Sequence, residues 1–306
     1  MAHSWSGIGS TITVNELTEF VRHAAQELQG FAQLCNPPTG GALGRGRGDT
    51  VQYTFFPNLS TSGGVLSENE EIPEGSLVPI SGTYVVQEYG NSTRWTGKLE
   101  ALSRLPLEDG LVQALINDMR KAQNTAAFTE FNGTHWLASF NSTADEFVKN
   151  NTLTVVANED LSLANLRFVV RKARANLIPY FDGESYVFIS GVDSIDALRY
   201  DSAVTTMLQH DSGRAALNGE VGRIAQCRLV EDNHKIVKIG ATQFDTGFLV
   251  GADACIAEYA LPPEVRAQDK DFGRSIAVAW YFIAAWKKIY NQTLHSKEHV
   301  IKVTTA

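Results

Sequence analysis

A chain of 306 residues, 43% of them hydrophobic, carries enough apolar mass for one large domain or two small ones. Its net charge of -8 argues against a general nucleic-acid-coating surface. Cys35, Cys227 and Cys255 are odd in number and lack CxxC spacing, which excludes a disulfide framework or zinc site as the first reading and predicts inert thiols in a reducing compartment.

The opening MAHSWSGIGS has no apolar leader pattern, and the longest apolar run, 276–286, is too short to span a bilayer. The expectation is a soluble chain made inside the cell. Thr13 as a cap, Glu16 three residues on, and Leu17, Phe20, Val21, Ala24 and Leu28 on one face predict a short helix. Asn36-Pro37-Pro38 and the tract Gly44-Arg45-Gly46-Arg47-Gly48 follow. With so little core of its own, the segment 1–47 reads as an arm that lies on something else.

Residues 48–102 show no helical period. Val51, Tyr53 and Phe55 alternate with Gln52 and Thr54, and a second alternating run covers 83–89 and leads on to 93–99. Between them lies a Gly, Ser, Pro and Glu-rich stretch with Glu68, Glu70 and Glu71. The simplest structure is one long two-stranded ribbon with an acidic tip. Such a ribbon is marginal alone in water. Burying each large side chain is worth roughly 1.5–3 kcal/mol, so Phe55, Phe56, Tyr84, Tyr89 and Trp95 are candidate contacts to another chain.

The next stretch, 105–131, repeats Leu107, Leu111, Leu115 and Met119 every fourth residue, with Val112, Ile116 and Ala126 beside them. Pro106 suits a first turn, Glu108 and Asp109 suit the positive end of the dipole, and Asn132-Gly133 stops the helix. At ~1.5 Å per residue it is on the order of 40 Å long. Residues 132–158 read as polar loops with one strand at 153–156. A second helix starts at Asp160 or Ser162, with Leu163, Leu166, Val169, Val170 and Ala173 inward and Arg167, Arg171, Lys172 and Arg174 on a solvated outer face. From Ser185 the pattern shortens: a buried strand at 186–189, one or two helices over 192–210, strands at 222–230 and 248–251, a long apolar segment through a sheet at 275–289, and a final strand at 299–304.

The chemical motifs are weak. His295-Ser296-Lys297-Glu298-His299 spells the inverted zinc-protease pattern, but it leads into a strand instead of lying on a helix. The glycine–arginine tract opens a strand, where a phosphate loop needs a helix. Gly273-Arg274-Ser275-Ile276-Ala277 lacks the last glycine of a nucleophile elbow. No catalytic set, cofactor site or metal site emerges, and the expectation is a protein that is not an enzyme.

The order of parts resembles a known family. It runs arm, ribbon with acidic tip, long helix, second helix and compact α/β segment ending in strands. Gly48-Asp49-Thr50-Val51, Tyr186-Val187-Phe188-Ile189 with Leu198-Arg199-Tyr200-Asp201, Leu217-Asn218-Gly219-Glu220-Val221-Gly222-Arg223-Ile224 and Leu249-Val250-Gly251-Ala252-Asp253-Ala254 carry the likeness. It is to the major capsid proteins of tailed phages, in particular the podophage family related to coliphage N-four, whose shell fold encapsulins share. The resemblance implies an α+β fold divided into an arm (1–47), an extended ribbon (48–102), a peripheral domain with a spine helix (103–184), an axial domain (185–294) and a C-terminal strand (295–306). It also implies self-assembly into an icosahedral shell around packaged double-stranded DNA, without a cofactor or a membrane. The shell would be built in the host cytoplasm and found in the virion, with scaffolding, portal and decoration proteins as further partners. An encapsulin-type compartment with protein cargo shares the fold and stays open as an alternative; a soluble α/β enzyme is the alternative from another class.

Overall fold

The computed structural model describes residues 30–36, 48–59, 64–66, 68, 71–72, 74–103, 107–142, 144–153, 157, 159–210, 223–234 and 245–305. The expected helix within the arm, most of the glycine–arginine tract, Glu70, Pro106, the strand expected at 153–156 beyond its first residue, and the segment 217–222 lie outside these residues.

The described chain begins with a short 3-10 helix, Phe31–Leu34, followed by β1 (Thr50–Phe55), β2 (Ile80–Val85) and β3 (Gln87–Thr96). Then come α1 (Gly97–Leu102), the long spine helix α2 (Leu107–Asn132), β4 (Leu137–Ser139), β5 (Glu146–Val148) and α3 (Leu163–Ala175). After them run β6 (Tyr186–Ser190), α4 (Val192–Tyr200), α5 (Ser202–His210), β7 (Arg223–Ile224), β8 (Cys227–Glu231) and β9 (Asp245–Val250). The chain closes with β10 (Ile256–Lys270), β11 (Ser275–Lys287), α6 (Gln292–His295) and β12 (Val300–Thr305). The fold is mixed α+β, as expected.

The strands form three sheets. β5-β4-β12-β9-β6-β8-β7 is a mixed sheet of seven, with β12 parallel to β4 and β6 parallel to β8. Its central strands are buried on both faces, so every residue of β6 is buried and side chains alternate between two cores. Val187, Ile189, Phe248, Val250 and Val300 point into a core shared with α2 and the second sheet. Tyr186, Phe188, Leu249, Ile301 and Val303 point the other way, into a core covered by Leu163, Leu166, Val169, Val170 and Ala173 of α3. That inward set on α3 is the one its periodicity predicts. Ser162 caps α3 by accepting from Asn165 N at 3.2 Å.

The second sheet, β10-β11-β3, is antiparallel throughout and lies on the spine helix. Asp118 of α2 ties two of its strands down, accepting from Trp280 Nε1 at 3.0 Å and from Asn91 Nδ2 at 2.8 Å. The 3-10 helix wedges between the sheets. Phe31 meets Phe128, Phe131 and Phe248 at ring distances of 5.2, 5.6 and 5.4 Å. Its first amides are held by the buried Asn124 and Asp232, with Phe31 N 3.0 Å from Asn124 Oδ1 and Gly30 N 3.0 Å from Asp232 Oδ2. A Cβ on Gly30 would sit 2.5 Å from Ile189 Cδ1, so any larger residue there has to displace that buried side chain.

Several elements differ from the sequence reading. The expected ribbon ends at Val85: β1 and β2 pair antiparallel from Thr50↔Val85 to Phe55↔Ile80, whereas β3 pairs with β11 from Gln87↔Ala284 to Thr96↔Ser275. The strand expected at 93–99 stops at Thr96, whose side chain caps helix α1. The strand expected at 222–230 is a hairpin turning at Ala225-Gln226, both at positive φ. Two strands, β4 and β5, arise from the stretch read as loops around residue 140. The sheets also cut across the expected divisions of the chain. The seven-stranded sheet takes strands from 137–148, 186–250 and 300–305, and the β10–β11 hairpin packs with β3 on the spine helix.

Candidate functional site

The paired part of the β1–β2 ribbon is held against the body at both ends of its ladder, at Tyr84 opposite Val51 and at Phe55 opposite Ile80. Tyr84 is buried, and its hydroxyl donates to the carboxylate of Glu258, itself buried on β10. Burial first and the Glu258 carboxylate second push the Tyr84 hydroxyl far above its ordinary pKa, so it stays a donor. Phe55 stands edge-on to Tyr290 at 5.7 Å, and Tyr290 stacks on His299 at 3.7 Å. Tyr53 lies across Gly82, opposite it in the ladder, where a Cβ would meet the ring at 2.4 Å.

Beyond this root the ribbon turns apolar and open. Phe56 is 64% exposed, and Leu59, Val65, Ile72 and Val78 are exposed beside it. The five candidate contact residues therefore divide. Phe56 is exposed and Phe55 is half-buried at the root. Tyr84 faces Glu258, Tyr89 stacks on Phe282 at 5.0 Å, and Trp95 is 1% exposed in the subunit's own core. The reason is the β3–β11 pairing, which carries Tyr89 and Trp95 onto the body.

A second exposed tip was not legible as such in the sequence. The β10–β11 hairpin ends in Asp271, Phe272 and Gly273, all at positive φ, which hold the Phe272 ring fully exposed at the tip. A bulky residue in that conformation is uncommon. The sequence signal available was the Asp-Phe-Gly turn ahead of the long apolar run at 275–289.

Between the spine helix and the ends of β2, β3 and β11 lies a groove of about 760 Å³, lined by Tyr84, Tyr89, Trp286, Ala122 and Ala126 among others. Another, of about 610 Å³, is bordered by Arg167, Arg171 and Arg174 on the outer face of α3.

The sequence motifs resolve into structural roles. Glu298 is fully buried and accepts from His135 N at 2.8 Å, Trp136 N at 3.3 Å and Lys288 Nζ at 3.4 Å, and from the Thr134 hydroxyl. His299 faces elsewhere, its Nδ1 donating to the Ala252 carbonyl at 2.6 Å. Burial holds the His299 imidazole below its ordinary pKa. Glu298 and His299 therefore pin the C-terminal end of the spine helix and the start of β12, and they do not converge on a metal. Ser275 is buried beside the turn of the second hairpin, receiving Arg94 Nε at 2.8 Å. Among the described residues, no group of three or more His, Cys, Asp or Glu side chains is placed to hold a metal ion, and no helix is long and apolar enough to cross a membrane.

No family model and no curated protein matches the sequence. Solved structures do match in fold. The chain is similar to the acid-stable capsid structure of Helicobacter pylori bacteriophage KHP30, with 15% identity, a TM-score of 0.71 and 97% of each chain covered. The head structure of Helicobacter pylori bacteriophage KHP40 gives 16% identity, a TM-score of 0.71 and 95% of each chain. The capsid of Ralstonia phage GP4 gives 16% identity and a TM-score of 0.63, covering 96% of this chain and 95% of that one. Over nearly its whole length, the chain has the fold of these phage capsid subunits.

Proposed function

We propose that this chain is a major capsid protein that self-assembles into the icosahedral shell of a double-stranded DNA phage. The observation that carries the reading is a ribbon rooted by Tyr84 and Glu258 whose outer part exposes Phe56, Val65 and Ile72 on a body of the phage capsid fold. Exposed apolar surface of this kind costs free energy in a monomer and is covered by association. Obligate interfaces bury about 2,000–5,000 Å², a size that the open end of the ribbon, the exposed hairpin tip and a long spine helix can supply. The work is assembly, not catalysis.

Its partners are further copies of the chain, packaged duplex DNA enclosed without sequence-specific contact, and scaffolding, portal and decoration proteins. The net charge of -8 suits a wall past which DNA slides instead of one that grips it. Assembly takes place in the host cytoplasm and the product is the virion shell.

The test is light scattering after size exclusion, with electron microscopy of the heaviest fraction. Closed shells or capsomer rings are the expected result. A chain that stays monomeric at all salt concentrations and with co-expressed phage head proteins overturns the reading. Nuclease-protected DNA in the particles, as opposed to a copurifying enzyme, separates a genome shell from a cargo compartment.

A further inference from the structure

The two half-chains that meet beside the spine helix bring two cysteines into register. Asn36 pairs in parallel with Ile256: Asn36 N donates to Cys255 O at 2.9 Å, and Ala257 N donates to Asn36 O at 2.9 Å. In a parallel ladder the preceding residues are also opposite one another, with side chains on the same face. Those residues are Cys35 and Cys255. Adjacent strands lie about 4.7–4.9 Å apart, inside the roughly 4.4–6.8 Å Cα window of a disulfide.

Both side chains belong to the same apolar cluster, Cys255 within it and Cys35 half-buried at its edge. Cys35 Sγ lies 3.6 Å from Phe31 O and Cys255 Sγ 3.6 Å from Ile256 O. Both are free thiols here. The third cysteine, Cys227, is buried in the other core, across the seven-stranded sheet.

We propose that Cys35 and Cys255 are a disulfide-forming pair that locks the N-terminal segment onto strand β10. With a small-molecule disulfide RSSR as oxidant, the Cys35 thiolate attacks and expels one RS⁻, leaving a mixed disulfide. The Cys255 thiolate then attacks the Cys35 sulfur and expels the second RS⁻. The two protein thiols give up two protons and two electrons, and RSSR is reduced to two RSH.

Cys35 is the entry point because it is the less buried of the two, whereas Cys255 is sealed. The hydrogen bond to Cys255, then burial, push the Cys35 thiol well above its ordinary pKa. Little thiolate is therefore present at neutral pH, and oxidation is slow there and speeds up in alkaline buffer. In a reducing cytoplasm the pair stays open; in an oxidising medium it closes. This timing, reduced during assembly and stapled in the released particle, rests on the capsid reading above, whereas the chemistry of the pair does not. Closure ties residue 35 to residue 255, so it removes freedom from a long loop of the unfolded chain.

The experiment treats the purified full chain with oxidised glutathione in mildly alkaline buffer. It then counts thiols after unfolding, measures the intact mass without reductant and maps linked peptides. The wild type will fall from three thiols to one, lose the mass of two hydrogens, and yield a peptide joining Cys35 to Cys255. Its melting temperature will rise. Cys227→Ala will close the same bond, and Cys35→Ser and Cys255→Ser will not. A wild type that keeps all three thiols, stops at a glutathione adduct, or links Cys227 overturns the proposal. Electron microscopy of the untreated protein reads shell formation separately, so failure of the pair and failure of the capsid reading are told apart.

Discussion

Trp95 faces Ile276 across the pairing of β3 with β11, with its indole 1% exposed and its Nε1 donating to Glu100 Oε2 at 3.2 Å. A residue on an apparently free ribbon is thus a rung of the body sheet, and its replacement is a stability experiment. Trp95→Ala will cost about 3–5 kcal/mol, the usual range for emptying a large aromatic site. Trp95→Asp, which also buries a carboxylate beside the core, will leave little folded subunit. Urea denaturation followed by circular dichroism measures both. Wild-type stability in Trp95→Ala would mean that β3 does not pack as described.

Phe56 and Phe272 give the complementary case. Both rings are open to solvent in the subunit, so Phe56→Asp and Phe272→Asp will change the unfolding free energy by no more than about 0.5 kcal/mol, as for exposed positions in general. On the proposed assembly the same changes will cut the yield of closed particles in sedimentation, because they place a charge on an apolar contact between copies. Normal particle yields from both would show that neither position carries the interface.

Glu298 and Lys288 meet at 3.4 Å in the interior, between the end of the spine helix and the start of β12. Burial lowers the Lys288 pKa, partly offset by the nearby Glu298 carboxylate. Glu298→Ala takes the carboxylate partner from that ammonium and the acceptor from the His135 and Gln292 amides, while Lys288 Nζ, Trp136 N and the Thr134 hydroxyl keep Gly133 O, Thr134 Oγ1 and Val300 O, and it will cost about 3–5 kcal/mol. Adding Lys288→Met to Glu298→Gln will recover part of the loss from Glu298→Gln alone. A double-mutant cycle in urea reads the coupling, and strict additivity would remove the pair from the account.

His299 makes the fold sensitive to acid. Burial lowers its pKa from 6.5 in the folded chain, against the opposing pull of its bond to Ala252 O and of Asp253, while Lys297 adds to the lowering. The unfolded chain then binds the proton first. The stabilising contribution is complete above pH 6.5 and is lost as pH falls toward the folded-state value. Urea midpoints taken on either side of pH 6.5 will fall more in the wild type than in His299→Gln. Equal falls in the two proteins would show that the imidazole does not set the dependence.

The local periods in the sequence determined much of this protein by themselves. The fourfold leucine repeat gives the spine helix, Leu163 through Ala173 give the buried face of α3, and the alternation at 51–55, the apolar run at 186–189 and the closing run at 299–304 give strands β1, β6 and β12. The order of these parts was enough for the likeness to phage capsid proteins. Partnership was decided only in three dimensions. An alternating run states that a strand has a buried face, not which strand lies beside it, so β3 read as ribbon when its partner β11 lies some 180 residues later. β10 gave no strand signal at all, because its outer half is exposed and Pro262-Pro263 fall where its register shifts between Leu261 and Glu264. Proline is tolerated there because β10 is an edge strand with an irregular ladder. The meeting of Cys35 with Cys255 is of the same kind: two residues 220 apart become neighbours through one backbone bridge, a contact made by packing and invisible to local pattern.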